Sequence, residues 1–227
     1  KGVEKVSAMF SHHVIVANHL WEGKLTSRSV PPQKCSVILN HIDPTVFYRR
    51  ARTRSDQKLV MLFPGTWQWH QGLDIAIAAL GHLKDTLPNA ELHLYGGGGG
   101  VGMEAHLAKL ANDLGVGDRV KFCGDVSLEE IAGVIANADI GVVPKRADSF
   151  GNEAYSTKIM EFMSQGVPVV AARTRIDSFY FDDSLISFFP SGDSRAMADR
   201  ILEITENASL RESLVKNGLA YARANDW

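Results

Sequence analysis

Short apolar and β-branched runs alternate with longer segments of helical period along almost the whole chain. Such a pattern is buried by a parallel sheet wrapped in helices, because each parallel strand must return through a crossover that is itself amphipathic. Residues 14–17 and 36–39 read as strands, with a helix over 19–27 between them. A turn at 40–44 and a polar, basic stretch at 48–58 follow, and then the alternation restarts. Strands are expected at 59–63, 91–95, 120–122, 140–143, 167–171 and 185–188. Helices are expected at 73–87, 104–114, 128–137, 154–165, 196–206 and 210–224. Leu73, Ala76, Ile77, Leu80 and Leu83 form one apolar stripe that can lie on a sheet. The fold class is therefore α/β, a Rossmann-like doubly wound parallel sheet over 54–227. Residues 1–53 read as the end of a preceding domain and its linker. The chain has no initiator Met and opens on a helix-like stretch, so a fragment is expected.

Composition narrows the function classes. Hydrophobic residues at 45% and charged residues at 22% fit an ordinary globular protein. Lys and Arg (24) nearly balance Asp and Glu (26), so no global field recruits nucleic acid or an anionic membrane, and any anion site must be local. Cys35 and Cys123 are isolated, and no His is placed at metal-ligand spacing, so no metal and no disulfide framework are expected. No apolar run is long enough to span a bilayer, and the first ten residues lack a signal peptide's apolar centre. A cytoplasmic setting is expected.

In a doubly wound fold the ligand sits outside the carboxyl ends of the strands, which directs attention to the loops at 65–72, 96–102, 124–127 and 144–153. Gly97, Gly99 and Gly102 satisfy the dinucleotide fingerprint, but a run of five glycines satisfies many templates, and the loop follows the domain's second strand. We read it as a flexible turn beside a ligand. Around the entrance of the expected 154–165 helix stand Lys145, Arg146, Glu153, Lys158 and Glu161. Glu153 and Glu161 are eight positions apart, a little over two helical turns, which would set both roughly along one face. A helix N-terminus can hold a diphosphate, and a carboxylate on that helix can accept two hydrogen bonds from a ribose diol. Taken singly, each is better read as a solvated helix charge.

Glu153, seven residues, Glu161 and then Phe162-Met163-Ser164-Gln165-Gly166-Val167-Pro168-Val169-Val170 resemble the signature of glycosyltransferase family 4. Asn40-His41-Ile42-Asp43, ending at Phe47, is similar to that family's interdomain motif. Gly65, six residues and Gly72 with Leu73-Asp74 resemble its glycine loop after the first strand. The segments 92–98 and 118–124, and Ala138-Asp139-Ile140 before Pro144, match its C-terminal domain. The resemblance covers the chain from about Val14 and implies the C-terminal half of a GT-B fold. Asp226-Trp227 falls where the family's last helix would begin to cross back.

The resemblance assigns Glu161 to the nucleotide ribose, Glu153 to the transferred sugar or its phosphate, and Gly124 through Val126 to the base. Lys158 is the candidate for a catalytic phosphate contact. Gly65, Gly72, Gly98, Phe150, Gly151 and Asn152 complete the expected donor-binding set with Thr66 and Gln71. These last two depart from the family, which carries Arg and Lys there to clamp the diphosphate; Lys145 and Arg146 are the candidate substitutes. Asp148-Ser149-Phe150-Gly151 also offers an acidic position before Phe-Gly, but the spacing favours Glu153. His70 is the one histidine placed near the ligand, while Trp67 and Trp69 could stack on sugar or base or pack between domains.

The implied activity is retaining transfer of a sugar from a nucleoside diphosphate to an acceptor hydroxyl, without a metal or other cofactor. Expected partners are the nucleotide-sugar donor and a glycan or lipid-linked acceptor. Peripheral membrane association through a preceding domain is a further expectation, at the inner face of the cytoplasmic membrane. Two alternatives stay open: a GT-B-type nucleotide-sugar 2-epimerase, and a non-catalytic nucleotide-sugar-binding subunit.

Overall fold

The computed structural model describes residues 2–226; Lys1 and Trp227, with the expected crossing at 226–227, lie outside or at the edge of the described residues. The chain opens with α1 (Gly2–Phe10), β1 (Val14–Val16), α2 (His19–Thr26) and β2 (Cys35–Val37). β1 and β2 pair in parallel, with Val14 opposite Cys35. Asn18 caps α2, its side chain accepting from the Trp21 N–H.

The second unit holds β3 (Leu59–Pro64), α3 (Leu73–Leu83), β4 (Ala90–Tyr95), α4 (Met103–Asp113), β5 (Val120–Gly124) and α5 (Leu128–Ala136). It continues with β6 (Ile140–Val143), α6 (Thr157–Gln165), β7 (Val169–Arg173), the single turn α7 (Asp177–Tyr180), β8 (Ser187–Pro190), α8 (Ser194–Glu206) and α9 (Ala208–Ala224). Its six strands form one parallel sheet in the order β5-β4-β3-β6-β7-β8. The strand order reverses between β3 and β6, and a doubly wound sheet opens a crevice at that switch point.

Burial explains why the strands are legible. β3 and β6 lie at the sheet's centre with both faces covered, and they read as continuous apolar runs. β4, nearer the edge, alternates buried and half-buried residues. All five residues of the expected α3 stripe are buried, in the core that also takes in α4 and α8. α5, α6 and α9 contribute to the core on the other face. Ile42 and Phe47, on the near side of the expected boundary, are buried in that second core. Gly141 in β6 lets α6 approach closely, since a Cβ there would stand 2.5 Å from the Phe162 ring. α6 is thereby seated directly over the switch point.

One boundary differs from expectation in a way that matters for the site. The helix expected from 154 begins at Thr157. The Ala154 carbonyl accepts from Lys145 Nζ at 2.7 Å and the Glu153 carbonyl from Asn18 Nδ2 at 2.9 Å, so the acceptors an earlier start would use are already engaged.

Candidate active site

Outside the carboxyl ends of β3 and β4, a cleft of about 370 Å³ opens onto the first turn of α6. Gly65 and Gly96 form its rim, Val126 and Leu128 one wall, and Lys158 and Glu161 its polar side. Gly65 adopts φ +136°, and a Cβ there would lie 2.6 Å from Lys158 Cε and 3.2 Å from its Nζ. The lysine stem thus passes over a position that only glycine can occupy without strain. The Lys158 ammonium also stands over the Phe63 ring, 5.3 Å from its centroid.

The electrostatics of this corner are set by burial. Desolvation pushes the Glu161 carboxyl above the usual carboxylate range, opposed by the nearby Lys158 charge and by the Thr157 hydroxyl. Desolvation likewise lowers the Lys158 ammonium, with Glu161 pulling the other way and Lys145 adding to the fall. Ser156, at the N-cap of α6, makes no side-chain cap to the helix. Its hydroxyl instead accepts from Lys145 Nζ at 2.8 Å and reaches Asp177 Oδ2 at 3.3 Å. The N-terminal turn of α6 therefore faces the cleft uncapped, a form of helix end that favours an anion.

The other expected residues divide between this cleft and its surroundings. Gly98 and Gly124 line a second recess of about 630 Å³ that shares Gly96 and Asp125 with the first. Thr66 is exposed, and Gln71 Nε2 contacts His70 Nε2 at 3.1 Å. A Cβ on Gly72 would strike the Pro144 carbonyl at 2.0 Å, which fixes that loop to the end of β6. His70 packs on Phe150 at 4.6 Å between centroids, and burial lowers its pKa. Asn152 Oδ1 accepts from the Arg175 N–H and its Nδ2 donates to the Ala147 carbonyl, while the Gly151 N–H donates to Asp148 Oδ1. Phe150, Gly151 and Asn152 belong to a self-braced turn.

Three expectations need correction. Glu153 does not share a helix face with Glu161, since it precedes α6 and its carboxylate takes two hydrogen bonds from Lys24, at 2.8 and 3.1 Å. Lys145 is not a free cation at the crevice. It is 4% exposed, and its three donors meet Asp177, Ser156 and the Ala154 carbonyl. Arg146 is engaged as well, forked onto Asp74 at 3.0 and 2.7 Å and stacked 3.9 Å from the Trp69 ring centroid. Among the basic residues singled out from sequence, Lys158 alone lines the cleft. Trp67 is buried edge-on against Phe122, and Trp69 is the platform for Arg146.

Asp125, within the 124–126 segment expected at the base, lines the cleft; Phe47, Tyr95, Leu128, Ile131 and Thr157 also line it and were not among the expected contacts. Phe47 closes a motif that sequence inspection does find, and Asp125 follows β5 directly. The remainder carry no local signal, because only the sheet order brings the ends of β4, α5 and α6 together. Among the described residues no three His, Cys, Asp or Glu side chains are grouped as metal ligands. No helix there is long and apolar enough to cross a membrane.

Comparison with known proteins adds the family. A model of glycosyl transferases group 1 matches residues 46–220. The D-inositol 3-phosphate glycosyltransferase of Nocardioides sp. is 29% identical over 94% of this chain and 50% of its own length. The amylovoran biosynthesis glycosyltransferase AmsK of Erwinia amylovora is 28% identical over 83% of this chain and 46% of its own. The chain thus spans about half the length of these relatives. Among solved structures, sucrose-phosphate synthase from Thermosynechococcus elongatus superposes with a TM-score of 0.82 at 24% identity, over 98% of this chain and 56% of that one. Anabaena HepE in complex with UDP and glucose gives 0.83 at 20% identity, over 98% and 61%. At these identities the two structures speak for the fold alone.

Proposed function

The chain belongs to the group 1 glycosyl transferases, and on that premise we propose that it forms the donor-binding part of an enzyme that moves a sugar from a nucleoside diphosphate to an acceptor hydroxyl with retention at the anomeric carbon. The observation that carries this reading is the meeting of Lys158, Glu161, Gly65 and Gly96 at the uncapped start of α6. The α6 amides and the Lys158 ammonium supply positive charge where a leaving diphosphate develops its negative charge, and the partly desolvated setting strengthens both. The half-buried Glu161 carboxylate, which lines the cleft, is placed to accept hydrogen bonds from a ribose diol. Gly65 and Gly96 present backbone without side-chain bulk beside the same space. HepE crystallised with UDP and with UDP-glucose supports a nucleotide sugar as the donor class. Glu153 is not part of the cleft lining and has no role in this reading beyond its pairing with Lys24.

A non-catalytic nucleotide-sugar-binding subunit is the second reading. It is favoured by Thr66 and Gln71 at the positions of the family's clamp, together with the engagement of Lys145 and Arg146 elsewhere. Thermal unfolding with UDP-, GDP- and ADP-sugars tests the common part, because a ligand bound only by the folded state must raise its stability. One donor is expected to raise the melting temperature, and a flat response to all three would defeat both readings. Free nucleoside diphosphate released only when acceptor is added separates the transferase from the subunit.

A further inference from the structure

Two consecutive carbonyls just ahead of α6 are held from outside the helix. Lys145 Nζ donates to the Ala154 carbonyl at 2.7 Å, and Asn18 Nδ2 donates to the Glu153 carbonyl at 2.9 Å. In a continuing α-helix those carbonyls would accept from the N–H groups four residues on, those of Lys158 and Thr157. Both of these residues line the donor cleft. Among the described residues neither N–H has a backbone acceptor, and the first amide of α6 to find one is that of Ile159, bonded to the Ser156 carbonyl at 3.1 Å.

The two anchors differ in kind. Lys145 is a buried charge bound to Asp177, so removing it disturbs the fold. Asn18 is neutral and comes from the turn between β1 and α2, in the module that precedes the six-stranded sheet. It is 2% exposed, and both ends of its amide are committed: Oδ1 accepts from the Trp21 N–H at 2.9 Å, and Nδ2 meets Glu153. Asn18 does not line the cleft, so any effect it has on a donor passes through the backbone it holds.

The same helix grips its surroundings twice more. Lys24 pairs with the Glu153 carboxylate, and the His19 N–H donates to the Tyr180 hydroxyl in α7 at 2.9 Å. Of these contacts, only that of Asn18 takes a carbonyl that α6 would otherwise use.

We infer that Asn18 is a positioning residue for donor binding: by holding the Glu153 carbonyl it keeps the Thr157 amide free for the diphosphate. The inference rests on the proposed donor-binding function. An anion at a helix start is bound by amides left without intrahelical partners, so each amide withdrawn weakens the site. With Asn18 shortened, the Glu153 carbonyl is released to the Thr157 amide.

Asn18→Ser separates the two jobs of the side chain. Serine is as good an N-cap as asparagine, so α2 keeps its cap to Trp21, while the hydroxyl is too short to reach Glu153. Asn18→Ala removes both contacts. Isothermal titration with UDP, GDP and ADP, each beside its own nucleoside, reads the phosphate contribution. The serine variant is expected to melt close to the wild type and to lose about three- to tenfold in affinity for the best-bound diphosphate, with nucleoside affinity unchanged. The alanine variant should show the same selective loss and a lower melting temperature. A diphosphate preference fully retained in the serine variant would overturn the inference and leave Asn18 as a cap alone. Equal losses for diphosphate and nucleoside would overturn it too, as the mark of a general disturbance. A wild-type protein with no preference for the diphosphate would instead refute the donor-binding function itself, and the inference with it.

Discussion

Lys158 lies across Gly65 so closely that a Cβ on the glycine would stand 2.6 Å from the lysine Cε. The loop after β3 and the first turn of α6 are thereby coupled, and the coupling aims an ammonium at the cleft. Gly65→Ala should force the lysine aside and strain a backbone at φ +136°, at a cost of about 1–3 kcal/mol. Thermal unfolding should show the loss, and titration should show that affinity for a nucleoside diphosphate falls more than affinity for the nucleoside. An alanine variant with wild-type stability and affinity would mean that the loop moves freely around Lys158.

Glu161 should trade stability against binding. Its folded pKa is raised, net of the attraction of Lys158, so its favourable contribution to folding is full below the unfolded carboxylate value and is lost as pH rises through the folded value. At neutral pH the ionised group therefore costs stability. Glu161→Gln should raise the melting temperature at pH 7 while weakening nucleotide binding by about 1–3 kcal/mol. In the wild type, nucleotide affinity should fall with acid at a pH above the ordinary value of 4.5. Equal melting temperatures with an unchanged affinity would remove Glu161 from the site.

Lys145→Ala should act on the fold. It leaves Asp177, fully buried, without its cation, and breaking such a buried pair costs about 3–5 kcal/mol. Chemical denaturation would read this as a much lower midpoint. A variant as stable as the wild type, but blind to phosphate, would return Lys145 to the ligand.

Much of the architecture was legible because buried parallel strands are apolar throughout and α3 carries a clean stripe. The family motifs also marked Gly65, Lys158 and Glu161, residues that the fold does bring to one cleft. What could not be read depended on partners far away in the chain. Lys145 and Arg146 look like a free basic pair until Asp177 and Asp74 are seen to hold them. The start of α6 depends on Asn18, 135 residues from Glu153, and no local rule reports a carbonyl already engaged from that distance.

Donor binding should not depend on a divalent metal, since Lys158 and the α6 amides supply the countercharge in this account. Titration of the preferred nucleoside diphosphate with chelator, and again with magnesium or manganese, should give one affinity. Binding lost in chelator and restored by metal would require another arrangement around the phosphates.

In the proposed site Lys158 is the cation that meets the diphosphate, and comparing nucleoside diphosphate with nucleoside isolates that contact. Arg146, forked onto Asp74, serves as the control. Lys158→Ala should reduce affinity for the diphosphate by about tenfold or more, the scale of one charge-assisted hydrogen bond, and leave nucleoside affinity nearly unchanged. Arg146→Ala should change neither selectively. Equal losses for both ligands on Lys158→Ala, or a wild-type protein that binds the diphosphate no better than the nucleoside, would contradict the account.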